Sequence, residues 1–141
     1  MPDNNNSWFH RMRRGEVPPA PVSSLLGFSL QRLDLAAGEL AADYTAAPSF
    51  LNPAGTVQGG MLAAMLDDLS AGLVDATLGA SEGVVTLNLN LSFLRPAQAG
   101  MLNGRARLVR RGRTVCHVSA ELLQGGKTVA TAVATCAIVA R

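Results

Sequence analysis

The spacing of apolar and polar residues changes along the chain, and each change marks an element. Over residues 61–78, Leu62, Met65, Leu66, Leu69, Leu73 and Ala76 fall on one stripe at helical spacing. Asp68 and Asp75 lie together on the opposite side of that helix, where solvent is expected. Asp67 falls between, on a flank shared with Ala63, Ser70, Ala71 and Val74; these small neighbours leave room for another chain or a ligand and would partly desolvate the carboxylate. After the helix the period becomes two: Leu87, Leu89 and Leu91 alternate with Thr86, Asn88, Asn90 and Ser92, giving a strand with one apolar face. Three further extended segments cover residues 101–110, 114–123 and 128–139. Arg95-Pro96 and Gly100 form the first turn between them, and Gly112 and Gly125-Gly126 sit at the two tight connections.

Upstream of the helix, an apolar stretch over residues 25–35, a turn at Ala36-Ala37-Gly38 and an extended segment over 39–46 read as a hairpin. Residues 48–58 contain two prolines and Gly55 and form an irregular loop. The order β-β-α-β-β-β-β is that of an α+β domain in which an antiparallel sheet wraps one long helix. That domain occupies residues 22–141. Residues 1–21, with Asn4-Asn5-Asn6, three arginines and Pro18, Pro19 and Pro21, read as a polar, proline-rich lead-in with one helical turn.

A chain of 141 residues suits one domain. Aromatic residues make up only 4% of it, so the interior must be built from Ala, Val, Leu and Met. Two cysteines are too few for a disulfide scaffold; reduced core thiols and a cytoplasmic location are expected. No apolar run reaches the length of a membrane span. The net charge of +2 conceals an asymmetry: residues 95–113 hold six arginines and no acid, and residues 61–94 hold four acids and no base. Without interleaved aromatics the basic segment does not suit nucleic acid, and a small anionic ligand fits it better. If the turn keeps the register, Arg105, Arg107, Arg111 and Arg113 share one strand face.

Two histidines exclude most zinc sites and make a histidine triad hard to assemble, so no metal is expected. Cys116 and His117 are strand neighbours that must point to opposite faces, a poor dyad. There is no nucleophile elbow, no phosphate loop and no Cys-x-x-Cys pair. What remains is Asn52, Gly55, Gln58, Gly59 and Gly60 ahead of the helix, and Asp67 two turns into it. The first N–H groups of a helix are unpaired and carry its positive dipole end, a place for an anion or a developing oxyanion. Asp68 is the rival carboxylate, and the helical wheel favours Asp67.

The run Asn52-Pro53-Ala54-Gly55-Thr56-Val57-Gln58-Gly59-Gly60, then Asp67, Thr86 and Leu94-Arg95-Pro96-Ala97, resembles the hotdog-fold acyl-CoA thioesterases of the phenylacetate-pathway (PaaI-type) group. The resemblance implies a curved antiparallel sheet around a central helix, paired as a homodimer with shared active sites and usually as a homotetramer. It implies hydrolysis of an acyl- or aryl-CoA thioester to coenzyme A and a carboxylate, with no cofactor beyond the coenzyme A of the substrate. On that resemblance Asp67 is the general base or nucleophile, the Gly59 N–H polarises the carbonyl, Asn52 positions water or thioester, and Thr86 is a hydroxyl beside the carboxylate. Gln58 and Gly60 line the substrate, and Arg111, Gly112 and Arg113 form a basic turn for the phosphates of coenzyme A. Gln58 stands where the family pattern has histidine, so no titrating group is available there. That departure keeps open a non-catalytic acyl-CoA binding module on the same fold. A hotdog hydratase would need a histidine paired with an acid, and His117 lies far from Asp67 in sequence.

Overall fold

A computed structural model describes residues 6–141. Chain order is α1 (Trp8–Arg13), α2 (Pro21–Leu25), β1 (Ser29–Asp34), β2 (Glu39–Ala46), α3 (Gly59–Asp75), β3 (Glu82–Phe93), β4 (Gly100–Arg111), β5 (Val115–Gln124) and β6 (Lys127–Ala140), with a short 3-10 turn at Pro48–Phe50. The six strands form one antiparallel sheet in the order β1-β2-β4-β5-β6-β3. The chain leaves the sheet after β2, runs along its inner face as α3, and returns as β3 at the far edge. This is the hotdog arrangement expected from the resemblance. No helix among the described residues is long and apolar enough to cross a membrane.

The sheet curls around α3 because its inner face is lined with small residues. Ala42, Ala106, Ala120, Ala130, Ala132 and Ala134 are all buried, between larger anchors Leu40, Tyr44, Leu102, Val118 and Leu122. Against them lie Leu62, Met65, Leu66, Leu69 and Leu73 of α3. The sheet and α3 approach closely at Gly104, where a Cβ would stand 3.0 Å from both Leu69 and the Ala42 carbonyl. Truncating one of these buried leucines to alanine removes about 2–5 kcal/mol in such a core.

The helix begins two residues earlier than the periodicity predicts and ends three earlier, because Gly59 and Gly60 enter its first turn while Ala76-Thr77-Leu78 tighten into a turn. Thr77 N–H donates to the Val74 carbonyl at 2.9 Å and Leu78 N–H to that of Asp75 at 2.9 Å. The outer side of α3 also departs from expectation. Asp75 is only 4% exposed; it accepts the Phe9 N–H at 2.8 Å and faces Arg141 at 3.5 Å. Asp68 accepts the Ser23 hydroxyl at 2.7 Å and the Tyr44 hydroxyl at 2.8 Å. The covering layer comes from the segment read as a lead-in. Asn4 and Asn5 lie outside the described residues, but α1 places Phe9 in the core at 1% exposure and brings His10 Nε2 to within 3.0 Å of the Ala76 carbonyl. Its arginines obscure this in the sequence, since Arg11 and Arg14 face Glu16 while Trp8, Phe9 and Met12 turn inward against the core. On the flank of Asp67, Ser70 and Val74 are fully buried, so only Ala63 and Ala71 remain partly open beside it.

Burial raises the Asp68 carboxyl above its ordinary range, the two hydroxyls oppose the rise, and the neighbouring Asp67 adds to it. The folded protein therefore binds this proton more readily than the unfolded chain, and the contribution of Asp68 to stability declines as pH rises from about 4 through its raised value. The melting-temperature difference between wild type and Asp68→Asn should shift against the wild type over that interval. A difference independent of pH would show that Asp68 is not the group responsible.

Candidate active site

Asp67 projects from the middle of α3 toward β3, where Thr86 Oγ1 donates to its Oδ1 at 2.7 Å. Its Oδ2 has no protein hydrogen-bond partner among the described residues, so one oxygen is held and the other is available. The contact depends on an irregularity in β3. Thr86 pairs with Cys136 and Asn88 with Thr135, leaving Leu87 as an extra residue. Without this bulge Thr86 and Leu89 would face opposite sides of the sheet. With it, Val84 and Thr86 before the bulge and Leu89 and Leu91 after it are all partly covered, while Leu87 is 59% exposed. The strict alternation expected for Leu87, Leu89 and Leu91 is thus interrupted, and Leu87 leaves their face. Beneath the pair lies Cys136, opposite Cys116 on the next strand, both free and buried. Burial pushes the Cys136 thiol up, which keeps it a neutral floor. His117 turns to the other face, with Nδ1 3.3 Å from Thr135 Oγ1.

Asn52, Gln58, Gly59 and Gly60 gather at the N-terminal end of α3. Gln58 occupies the cap position with extended backbone, φ −57° and ψ 133°, and makes no side-chain cap. The N–H groups of Gly59 and Gly60 accordingly have no acceptor among the described residues and lie at the positive end of the helix dipole. Glycine at 59 also admits Phe93, whose ring would lie 3.3 Å from a Cβ there. Asn52 is occupied locally: Oδ1 accepts the Ala54 and Thr56 N–H groups at 3.0 and 3.2 Å, and Nδ2 donates to Thr56 Oγ1 at 3.1 Å. It closes the loop that leads into the helix and bonds to neither Asp67 nor Thr86.

The basic turn lies at the opposite end of α3. A second bulge, between Leu108 and Arg110, resets the register of β4. Arg105 and Arg107 are exposed, whereas Arg111 turns toward the helix end, where its Nε donates to Thr77 Oγ1 at 2.9 Å and its Nη1 to the Gly112 carbonyl at 2.5 Å. The single arginine face expected over positions 105–113 does not form. Gly112 is required by the turn, since a Cβ would collide with the Val115 carbonyl. Arg113 is exposed.

The anticipated residues therefore form three groups spread along one helix. Asp67 lies eight positions beyond Gly59, about 12 Å at 1.5 Å per residue, and the arginine turn lies about as far again beyond Asp67. Within one chain, the N–H groups and the carboxylate cannot act on the same carbonyl. Phe93 and the bulge at Leu87 were not singled out by sequence reasoning; an aromatic at the strand's end was the one available signal. Among the described residues no three His, Cys, Asp or Glu side chains converge to hold a metal ion.

Residues 47–137 match the acyl-CoA thioesterase N-terminal domain family. A Mycobacterium tuberculosis H37Rv protein whose name includes the word esterase is 31% identical over 102 residues, spanning 67% of this chain and 73% of that protein. A phenylacetic acid degradation-related protein from Ralstonia eutropha JMP134 superposes with a TM-score of 0.91 at 62% identity, covering 92% of this chain and 98% of its own. A single-residue variant of the phenylacetic acid degradation protein PaaI from Thermus thermophilus does so at 0.75 and 26% identity, covering 84% and 98%.

If the Asn52 side chain serves the loop as its hydrogen bonds indicate, Asn52→Ala should cost about 1–2 kcal/mol of stability, read from chemical denaturation. An unchanged unfolding midpoint would leave those bonds without structural weight.

Proposed function

The chain belongs to the acyl-CoA thioesterase family, whose members are thioester hydrolases, and from that premise we propose that it cleaves an acyl- or aryl-CoA thioester at a site assembled from two copies of the chain. In this reading the free oxygen of Asp67 either takes a proton from an attacking water or attacks the carbonyl carbon itself. The carbonyl oxygen, gaining negative charge, is met by the Gly59 N–H of the other copy. With water as the nucleophile, collapse breaks the carbon–sulfur bond, the proton taken by Asp67 passes to the sulfur, and coenzyme A leaves as the thiol and the acyl group as a carboxylate; with Asp67 as the nucleophile, collapse expels coenzyme A and leaves an acyl–Asp67 anhydride, which a water then hydrolyses to the carboxylate and free Asp67, supplying the thiol proton. Thr86 holds Asp67 in orientation. Gln58, uncapped at the helix start, offers an amide for hydrogen bonding and no titrating group. Arg113 is the open cation of the basic turn for the phosphates of coenzyme A, because Arg111 is engaged with Thr77.

The observation that carries this reading is the separation of the free N–H groups from Asp67 along α3. A two-fold axis removes it: in a symmetric pair, residue i meets j and j meets i. Bringing Asp67 to the partner's Gly59 places the axis beside Ala63, midway between them and partly open. The strand supports the same axis. Thr86 bonds Asp67 and Phe93 lies on Gly59, so their exchange centres on Leu89 and Asn90 of β3. β3 is a sheet edge of 12 residues with Val85, Leu87 and Phe93 exposed, and an unpaired edge of that length invites a second strand. Antiparallel pairing of two β3 strands would cover it. Association of such dimers into a tetramer is the further step that the family resemblance implies.

Mixing two inactive variants tests the arrangement. Asp67→Asn should lower kcat by about a hundredfold or more. Gly59→Pro removes the N–H at a helix position whose backbone tolerates proline, after a residue already extended, while its Cβ displaces the Phe93 ring by a few tenths of an ångström. Each alone should be inactive on acyl-CoA substrates. Co-refolded in equal amounts, they should recover about a quarter of wild-type activity, from the one intact site of each mixed dimer. No recovery from mixed dimers would place the whole site in one chain.

A further inference from the structure

Beneath the Asp67–Thr86 pair, four residues stand in one row across the sheet. Thr86 of β3 pairs with Cys136 of β6, Cys136 with Cys116 of β5, and Cys116 with Arg111 of β4. We infer that the two thiols are an oxidation site: a hydroperoxide joins Cys116 and Cys136 in a disulfide, and the bridge disturbs the hold of Thr86 on Asp67. The chemistry of the bridge stands apart from the thioesterase reading; its consequence for turnover rests on that reading.

Spacing permits the bond. Ile138 N–H donates to the Thr114 carbonyl at 2.8 Å, and hydrogen-bonded pairs recur at every second position of an antiparallel ladder. Cys116 and Cys136, two positions along, are therefore such a pair, with Cα atoms about 5.5 Å apart. Disulfides bridge Cα separations of roughly 4.4–6.8 Å but bring the Cβ atoms to about 3.8 Å, whereas the Cβ atoms of such a pair stand near the upper end of roughly 4.5–5.5 Å. Closing the bridge thus draws them together by about 1 Å or more. Because β6 lies between β5 and β3, that movement takes Cys136 away from Thr86. Strain of this kind makes a disulfide easier to reduce, which suits a reversible modification.

Access comes from the side of the carboxylate. Both sulfurs are buried, but Thr86 and Asp67 above Cys136 are partly open, and a route that brings a thioester to Asp67 admits a molecule as small as hydrogen peroxide. Cys136 reacts first. Its sulfur, as thiolate, attacks one peroxide oxygen; the O–O bond breaks, a sulfenic acid forms, and the departing hydroxide takes up the thiol proton as water. Cys116 then attacks that sulfur: the S–S bond forms, the S–O bond breaks, and the hydroxyl leaves with the second thiol proton as another water. Two electrons pass from the sulfurs to the peroxide. Burial pushes both thiols up, which makes the reaction slow, and the neighbouring Arg111 opposes the rise at Cys116, which favours it as the second nucleophile.

Full-length protein, first reduced and then treated with hydrogen peroxide, should lose both free thiols and yield a joined pair of tryptic peptides, 114–127 and 128–141, released by cleavage after Arg113 and Lys127. Neither peptide contains methionine, so the loss of two hydrogens from their summed mass is read without interference. Turnover of an acyl-CoA should fall about tenfold or more and return with dithiothreitol. Cys116→Ala and the bulkier Cys116→Val keep Cys136 in place; whichever folds by circular dichroism should show neither the bridge nor the reversible loss. Two free thiols after treatment, separate oxidation of each cysteine to a sulfinic acid, or a bridge between chains would overturn the site. A bridge with turnover unchanged, or an equal reversible loss in the Cys116 variant, would overturn its coupling to Asp67. A bridge in a protein that hydrolyses no acyl-CoA even when reduced would leave the site standing and remove the hydrolase reading.

Discussion

The burial of α3 on all but one flank is the constraint from which the rest of the molecule follows. A helix that carries Asp67, Asp68 and Asp75 cannot be enclosed by a curled sheet and two short helices unless each carboxylate finds a partner, because an unpaired buried charge is too costly. Asp75 is matched by the Phe9 N–H and Arg141, and Asp68 by two hydroxyls. Asp67 receives only one bond, from Thr86, and stands where the enclosure is incomplete. Its neighbours Ala63 and Ala71 are too small to shield it. The fold thus leaves one carboxylate half satisfied, at the sheet edge that a second chain would approach.

Much of this was legible in the sequence where local pattern and tertiary environment agree. The leucine stripe of α3 points at the sheet, so its period survives into the structure. The glycines at 112 and 125–126 mark turns that only glycine fits, one because of the Val115 carbonyl and the others because both adopt positive φ, 58° and 78°. Asp67 and Thr86 could be paired because a resemblance covered both. What failed did so for identifiable reasons. A helical wheel distinguishes the apolar face from the rest but cannot say that the remainder is covered by segments 45 and 66 residues away, so Asp68 and Asp75 looked solvated. Arginine-rich composition concealed the apolar side of α1. Bulges leave no trace in alternation until the register of two strands is known, and both faces inferred from strict alternation, that of Leu87 and that of Arg111, were displaced by one.

These two bulges act on the same helix, one at its middle and one at its C-terminal end. The one in β3 lets an inward hydroxyl at 86 coexist with inward leucines at 89 and 91, which a regular strand would put on opposite faces. The one in β4 turns Arg111 away from the surface face of Arg105 and Arg107 and onto the end of α3, where it holds Thr77. In each case a single inserted residue moves a polar side chain from the outer face of the sheet to the helix, without disturbing the apolar contacts on either side. A point substitution on a regular strand could not do this, since placing a polar group inward at 86 would carry every later residue outward with it.

The length of α3 then determines how chemistry can be arranged. In the proposed reaction its dipole end and its half-satisfied carboxylate would serve the same carbonyl, yet they are fixed about 12 Å apart by the rise of the helix. Bending cannot close that gap, because the helix is clamped by close contacts such as Gly104 against Leu69. Rotation about a two-fold axis can, and it duplicates the site at the same time. A rigid central helix therefore favours catalysis between chains: the stiffness that prevents one copy from completing its own site is what would hold two copies in register.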